Sequence, residues 1–290
     1  DFRAQAGETY ILNIETASGE IYRSEAEEML QGGELEEIMV ERRLYENNDG
    51  VAITVNTSLI SEGNAYFKYE YEETYKIVSP YRYSTNMFFN FDTRTFYEIW
   101  KEIDDEICYT TDNSTELIMA STGNLESNNL NNFLVRFLEL GNPKMSFRYS
   151  ILVKQFTISE RAHAYYSTLK DLSSNNNLFS QVQPGFLAGN IRSIDGNQEA
   201  IGFFTVAAVD EERIFFNFED HHSFSDRRTY VANDCTPGAP QIVGPQADMV
   251  ADQLNDGTIK YIGPNLEPSP GEGPYVFVES PCVDCRFFGE

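Results

Sequence analysis

The sequence predicts a mainly β protein, with an antiparallel, sandwich-like β-sheet body, one main helix and an irregular C-terminal segment tied down by disulfides. Three observations indicate this fold class. Stretches in which apolar residues recur at every second position, the period of a half-buried strand, occur along most of the chain. Residues 157–172 show the clearest helical spacing of apolar side chains. From residue 233 onward Pro, Gly, Asn and Asp interrupt the chain, and three of the four cysteines lie there.

Composition limits the kinds of protein that this chain can be. Its 290 residues are 41% hydrophobic, which allows a large core in one large domain or two ordinary ones. Forty-six acidic residues against 21 basic ones give a formal charge of −25, which argues against nucleic acid or anionic lipid as a partner. No apolar run approaches the roughly 20 residues of a transmembrane helix and no signal peptide opens the chain, so we expect Asp1 to be a processed or truncated start.

The first predicted elements are two hairpins separated by a linker. Residues 8–24 show strand periodicity on both sides of a turn that contains glycine. Residues 25–37 are acidic and also contain glycine, which predicts a linker. Strands at 38–45 and 51–57 then surround a turn at 47–50, whose sequence Asn-Asn-Asp-Gly is typical of turns.

An aromatic strand is predicted at residues 65–75. Amphipathic tyrosine rings can cap a sheet without any ligand, which is the simpler explanation of this composition, but a tyrosine-rich surface can also stack against sugars or form a protein interface. The candidates for such a binding surface are Tyr66, Tyr69, Tyr71 and Tyr75.

A short helix is predicted after Asp92, a residue type that caps helices. Its apolar face would have the spacing i, i+3, i+4, i+7 and consist of Phe96, Ile99, Trp100 and Ile103. The acidic run at 104–106 lacks the glycine-punctuated spacing of a calcium loop, so solvated carboxylates explain it better than a calcium site does. Strands are expected at 116–121 and 133–140.

The chain is organised around residues 145–172. Apolar side chains such as Ile151 occupy every second position, which predicts a buried, central strand over 145–156. Thr157 and Glu160 then have the spacing of a capping box, and helical spacing continues to the end of the stretch. We expect this helix to be the longest in the protein.

The last predicted strands lie before and after residue 233, where the composition of the chain changes. Strands at 201–209 and 213–218 are expected to form a hairpin around residues 210–212. Within the irregular C-terminal segment, strands are expected only at 257–262 and 275–279.

The four cysteines are Cys108, Cys235, Cys282 and Cys285. A single Cys-x-x-Cys pair without flanking histidines is a poor zinc site, and its position close to the C-terminus does not suit a thioredoxin-like redox pair. We therefore expect two structural disulfides and an oxidising compartment. A bond within Cys-x-x-Cys is typical of a labile redox pair. Cys235 is accordingly expected to bond either member of that pair, and Cys108 the other.

Candidate catalytic residues are few. His221, His222 and Asp226 could belong to a metal-dependent hydrolase or a sugar-active enzyme, because imidazole binds metal and a carboxylate orients it. Adjacent histidines in a strand point to opposite faces, so a polar loop explains them better. The sequence has no Gly-x-Ser-x-Gly elbow, P-loop or dinucleotide fingerprint. We predict a non-enzymatic protein with no cofactor and no catalytic, cofactor-binding or metal-binding residues.

Six short motifs follow one another along the chain. They are GETYILNI at 7–14 with Gly19 and Tyr22, YEYEETY at 69–75, RYSILVKQF at 148–156, Pro184 with GNI at 189–191, IGFF at 201–204, and CVDCR at 282–286. In this order the motifs resemble those of a Bacteroidota surface lipoprotein family, domain of unknown function DUF4249. The resemblance runs from about residue 7 to residue 286.

The resemblance implies an organisation into domains. Members of the family typically begin with a lipoprotein signal and an immunoglobulin-like domain, and residues 7–24 would be the last hairpin of that domain. We therefore expect the end of an immunoglobulin-like β domain at 1–30, a main β-rich domain at 31–232, and an irregular disulfide-stapled segment at 233–290 packed on the main domain.

The resemblance also implies a function. Members are often encoded beside TonB-dependent outer-membrane receptors. We expect a surface lipoprotein on the cell-surface side of the outer membrane, held by a lipid anchor on a missing N-terminus. It would be an accessory or binding subunit of a TonB-dependent receptor or a similar outer-membrane complex. The alternatives are a structural subunit of a barrel-assembly or secretion machine, and the enzyme built on His221, His222 and Asp226. The family supplies no catalytic residues.

Overall fold

The computed structural model describes residues 2–59, 63–123, 125, 129–174, 187, 189–194, 200–229 and 235–288. The chain divides into two compact units. Unit 1 consists of Asp1–Glu73, Asn113–Glu139 and Ile151–Ile214, and unit 2 of Thr74–Asp112, Leu140–Ser150 and Phe215–Glu290. The expected domain boundaries at residues 30 and 232 stay predictions.

Seventeen strands and two α-helices occur within the described residues. In chain order they are β1 (Thr9–Tyr10), β2 (Asn13–Glu15), β3 (Ile21–Ser24), β4 (Glu27–Glu28), β5 (Glu34–Tyr45), β6 (Asn48–Ser58), β7 (Tyr66–Val78), β8 (Thr85–Asn90), β9 (Thr95–Trp100), β10 (Ile107–Asn113), β11 (Ile118–Ser121), β12 (Leu130–Glu139), β13 (Arg148–Ile158), α1 (Glu160–Ser174), β14 (Ile191–Ser193), β15 (Ala208–Asn217), α2 (Pro245–Asn255), β16 (Ile259–Pro264) and β17 (Tyr275–Glu279).

The strands form small antiparallel sheets, which confirms the predicted mainly β fold class. The largest sheet has the order β10-β7-β13-β15, with β11 also paired to β7. Three-stranded sheets have the orders β12-β6-β5 and β14-β3-β2, and the pairs β1-β4, β8-β9 and β16-β17 form two-stranded sheets. The predicted hairpins at 8–24 and 38–57 are confirmed by the β2-β3 and β5-β6 pairings.

Strand β13 is central, as predicted, because it lies between β7 and β15. Its side chain Ile151 is fully buried. The strand continues to Ile158, so the expected capping box is wrong: the Thr157 hydroxyl accepts a hydrogen bond from the Gly33 N–H at 3.0 Å instead. The Ser159 hydroxyl accepts from the Ala162 N–H at 3.1 Å and caps α1. As expected, α1 is the longest of the described helices.

The turn between β5 and β6 is shorter than predicted. Glu46 and Asn47 have φ angles of 49° and 69°, as in a two-residue hairpin turn that follows the twist of the strands. Gly50, expected in the turn, lies within β6. A Cβ atom there would lie 2.3 Å from the carbonyl oxygen of Leu138, so this glycine permits close packing of β12.

The expected linker at 25–37 contains structured residues. Glu27 in β4 is buried, and its carboxylate accepts hydrogen bonds from the Ser159 hydroxyl at 2.9 Å and from the Asn190 amide at 3.2 Å. The acidic composition therefore does not mark a solvated connection at this point, because this carboxylate holds α1 and the start of β14 in place.

Two predicted elements are wrong. The helix expected after Asp92 is a strand, β9, which pairs with β8. The hairpin expected around residues 210–212 is one continuous strand, β15, in which Asp210 accepts a hydrogen bond from the Leu35 N–H at 2.8 Å. Pairing with the neighbouring strand replaces the predicted helix in the first case, and a contact distant in sequence replaces the predicted turn in the second.

The C-terminal segment is more regular than predicted. Strands β16 and β17 pair as expected, but the sequence prediction missed α2, which has Pro at its start and buries Ala247, Val250 and Ala251. Disulfides join Cys108 to Cys285 and Cys235 to Cys282. They confirm that this segment is tied down by its cysteines.

Candidate binding surface

The hairpin of β8 and β9 in unit 2 has one buried face. Met87 lies at the centre of a core cluster with Val250 from α2, Tyr261 from β16 and Phe277 from β17, and Phe96 packs against this cluster. Burial of these apolar side chains fixes the hairpin on the rest of unit 2.

A group of large apolar side chains around the same hairpin is exposed, and we name it the β8–β9 patch. Its members are Phe88, Tyr97, Ile99, Trp100 and Ile103. Trp100 is 74% exposed and Ile103 64% exposed. Phe88 and Tyr97 lie directly opposite each other across the hairpin, with stacked rings whose centroids are 5.8 Å apart. Single exposed apolar residues are ordinary, but a group like this one is typical of an interaction site.

A groove of about 290 Å³ connects the members of the patch. Phe88, Ile99, Trp100 and Ile103 contribute its apolar walls. The Lys101 ammonium and the Asp105 carboxylate, 2.7 Å apart and each about a tenth exposed, form an ion pair beside them. A second hollow of about 280 Å³ shares Trp100 and Ile103. Four of the five patch residues therefore line one groove, and two of these also line the second hollow.

The C-terminal disulfide supports one side of the groove. Cys285 is bonded to Cys108 and donates its N–H to the carbonyl oxygen of Asp105 at 2.8 Å. Next to it, the Arg286 guanidinium donates two hydrogen bonds to the Asp284 carboxylate, at 2.8 and 2.6 Å. Burial alone would raise the pKa of Asp284, but the bonds from Arg286 outweigh it and hold that pKa below its ordinary value. This edge of the groove is thus cross-linked and internally paired.

Three of the four tyrosines predicted to form a binding surface are in the interior. Tyr69, Tyr71 and Tyr75 are buried. The prediction of an exposed surface at these residues is wrong, because the alternation along β7 turns them towards the core. Burial raises the pKa of the Tyr69 hydroxyl well above its ordinary range. Tyr66 lies on the other face, half-buried, with its ring 5.0 Å from that of His163.

The structure places the two adjacent histidines against different aromatic rings. His221 packs edge-on against Phe216 and His222 is buried against Phe218, with centroids 5.3 and 5.4 Å apart. Burial lowers the pKa of His221, against a smaller opposing effect of Asp220. Asp226 lies in a short 3-10 helix, Phe224–Asp226. Over the part of the chain that the structure describes, no group of three or more His, Cys, Asp or Glu side chains is arranged to hold a metal ion.

The acidic run at 104–106 is engaged in ion pairs. Asp105 is buried with Lys101, and Glu106 lies 2.8 Å from Arg82. The interpretation as solvated carboxylates is therefore wrong for Asp105. Its side chain is part of the groove floor.

Sequence reasoning missed the β8–β9 patch because it placed three of its members, Ile99, Trp100 and Ile103, on one face of a predicted helix. Phe96, Ile99, Trp100 and Ile103 satisfy helical spacing, but the run Thr95–Trp100 also satisfies strand spacing. A signal that favours the strand is the short apolar run at 87–89 in its partner β8, which a short turn separates from β9.

Comparison with known proteins places the chain in a family. Among the described residues, no helix is both long enough and apolar enough to cross a membrane. No curated protein and no solved structure matched the chain. A domain of unknown function, DUF4249, matches residues 1–213, which is well over half of the 290 residues and includes the β8–β9 patch. The chain therefore belongs to the DUF4249 family.

Proposed function

We propose that this protein is a non-enzymatic accessory or binding subunit that docks through the β8–β9 patch onto an outer-membrane protein, a TonB-dependent receptor or a similar complex. The observation that carries the proposal is the exposure of five large apolar side chains, four in the β8–β9 hairpin and Ile103 just after it, next to a buried core cluster. Exposing large apolar side chains to water is unfavourable, so we expect a partner protein to cover the β8–β9 patch in the functional complex.

The chemistry of the patch favours a protein partner. Trp and Tyr are the residue types that most often dominate the energy of protein interfaces, and Trp100 and Tyr97 lie in the patch. Two pairs of charged groups lie beside the groove, Lys101 with Asp105 and Arg286 with Asp284. These four groups would enter an interface already paired.

The disulfides support the proposed compartment. Two disulfides are expected in an oxidising environment, such as a periplasm or a cell surface, and are rare in the cytosol. Together with the outer-membrane association that the family resemblance implies, they favour a lipid-anchored protein on the cell-surface side of the outer membrane.

Site-specific photo-crosslinking in the native membrane tests the proposal. A photoreactive amino acid placed at Trp100 or Tyr97 should yield a covalent adduct with an outer-membrane receptor, identified by mass spectrometry. The matched control is the same amino acid at Ile201, which is 77% exposed but belongs to unit 1. The Trp100→Ala variant should weaken the isolated complex by roughly 30-fold, the size of an interface hot spot.

Two outcomes would contradict the proposal. One is an adduct pattern that is the same at positions 100 and 201. The other is wild-type affinity of the Trp100→Ala variant for the captured receptor. Adducts formed only with components of a barrel-assembly or secretion machine would favour the structural-subunit alternative instead.

A further inference from the structure

Unit 1 contains an apolar cavity of about 480 Å³ that the proposed function does not use. Its volume is in the range of pockets that bind small molecules. Eleven of the described residues line it, and nine of these are apolar or aromatic: Leu12, Phe156, Ile158, Tyr166, Ile191, Phe203, Phe204, Ala207 and Val209.

The wall formed by residues 203–205 is held rigidly. The side chain of Asn190, fully buried, donates to the carbonyl oxygen of Phe204 at 2.9 Å and accepts from its N–H at 2.7 Å. Close by, a Cβ atom at Gly189 would lie 1.7 Å from the carbonyl oxygen of Gly202, so both backbones must approach closely there. A cavity with such a wall is pre-formed, which lowers the entropic cost of binding.

The segments at 189–191 and 201–204 are two of the six motifs that carry the family resemblance. Residues 189–191 and 201–204 pack against each other and supply Ile191, Phe203 and Phe204 to the wall. Leu12 and Phe156 come from two further motifs. Four of the six motifs therefore meet at this cavity.

Lys68 is the one charged residue among those that line the cavity. Its ammonium nitrogen is 2.7 Å from Glu70 and lies over the rings of Phe156 and Tyr166, at 5.3 and 5.1 Å from their centroids. An ammonium group has three N–H donors and Glu70 accepts one, so the group can also donate to a bound anion. In an apolar surrounding such a charge-assisted bond is stronger than in water.

We propose that this cavity binds an apolar monocarboxylate of about the size of decanoate. The carboxylate would accept hydrogen bonds from the Lys68 ammonium, and the hydrocarbon body would lie against the aromatic walls. A purely apolar ligand would leave the remaining Lys68 N–H donors without an acceptor in the cavity. This site belongs to unit 1 and is separate from the β8–β9 patch, which belongs to unit 2.

Calorimetric titration of the full 290-residue chain with decanoate and with decanol tests the inference. Wild-type protein should bind decanoate. Lys68→Met keeps most of the side chain's volume but removes the charge, and it should weaken decanoate binding by roughly tenfold or more while leaving decanol binding unchanged. The matched control is Lys154→Met, a half-buried lysine on the neighbouring strand β13 that does not line the cavity. It should bind both compounds as wild type does.

A second variant tests the location of the site. Ala207→Phe should fill the cavity and abolish binding of both compounds, and a thermal scan shows that each variant is folded. The inference is overturned if wild-type protein does not bind decanoate, if Lys68→Met binds it as tightly as wild type, or if folded Ala207→Phe still binds it. Should Ala207→Phe fail to fold, the comparison of the two lysine variants decides.

Discussion

Gln155, a fully buried polar residue of β13, illustrates how single residues connect the sheets of unit 1. Its side-chain oxygen accepts hydrogen bonds from the hydroxyls of Thr57 at 2.5 Å and Tyr69 at 3.0 Å. Its amide nitrogen donates to the carbonyl oxygen of Gly33 at 3.0 Å. A buried amide with all these partners satisfied rigidifies and specifies a core, because any other packing would leave polar groups unpaired. Tyr69, expected on a binding surface, belongs to this network.

Protonation of two histidines gives the protein a predicted pH dependence. Burial lowers the pKa of both His163 and His221 below the ordinary value of 6.5. As pH falls through 6.5 the unfolded chain therefore binds more protons than the folded one, and the free energy of unfolding should decrease. Urea unfolding at pH 7.5 and pH 5.5 measures this loss.

The double variant His163→Gln with His221→Gln should reduce that loss. Carboxylates contribute equally to the pH dependence of wild type and variant. Any difference between their losses of unfolding free energy from pH 7.5 to pH 5.5 is therefore due to the histidines. Equal losses in wild type and variant would contradict the prediction, because they would mean that the histidine pKa values are the same in the folded and the unfolded protein.

Among the elements, strand β13 is the one that the sequence predicts to be central and buried. It is interior to the largest sheet, and its apolar side chains at alternate positions are buried. Replacing Ile151 with Ala should lower the free energy of unfolding by about 2–5 kcal/mol, because it removes buried methylene groups and leaves a cavity. Denaturant unfolding of the variant measures the loss.

Lys154→Ala on the same strand is the comparison for that variant. This side chain is half-buried, whereas Ile151 is fully buried, so its loss should be much smaller. A loss below about 0.5 kcal/mol for Ile151→Ala would show that β13 is not packed as a central strand.

The strands also show which local sequence patterns were sufficient to predict secondary structure. Strand β13 was predicted because its alternation is long, and strands β5, β6, β7 and β12 were also predicted. Strand β9 was mistaken for a helix because six residues of mixed polarity fit both periods. Strand β15 was broken into a hairpin because three acidic residues at 210–212 are typical of turns, yet Asp210 bonds to the backbone of Leu35.

For the molecule as a whole, the two disulfides should contribute unequally to stability. They close loops with sequence separations of 177 for Cys108–Cys285 and 47 for Cys235–Cys282. The chain-entropy account assigns them about 5 and about 4 kcal/mol, because the longer loop restricts the unfolded chain more. Paired alanine variants, Cys108→Ala with Cys285→Ala and Cys235→Ala with Cys282→Ala, measured by non-reducing urea unfolding, should show losses in that order.

Peptide mapping by mass spectrometry without reduction gives the pairing independently. Peptides that join Cys108 to Cys285 and Cys235 to Cys282 are expected. A Cys282–Cys285 peptide, free thiols, or a greater loss on removing the shorter loop would contradict the account of these bonds as loop-closing staples.

The sequence by itself determined the fold class, the central strand and following helix, and the oxidised state of the cysteines. Each follows from local periodicity or from residue type. The tertiary structure alone decided which cysteine of the pair bonds Cys235, why Gly50 is a glycine, and which aromatic residues are buried or exposed. Periodicity shows which side chains share a face of a strand, but whether that face is covered depends on residues far along the chain. For that reason Tyr69 lies in the core, whereas Trp100 faces solvent.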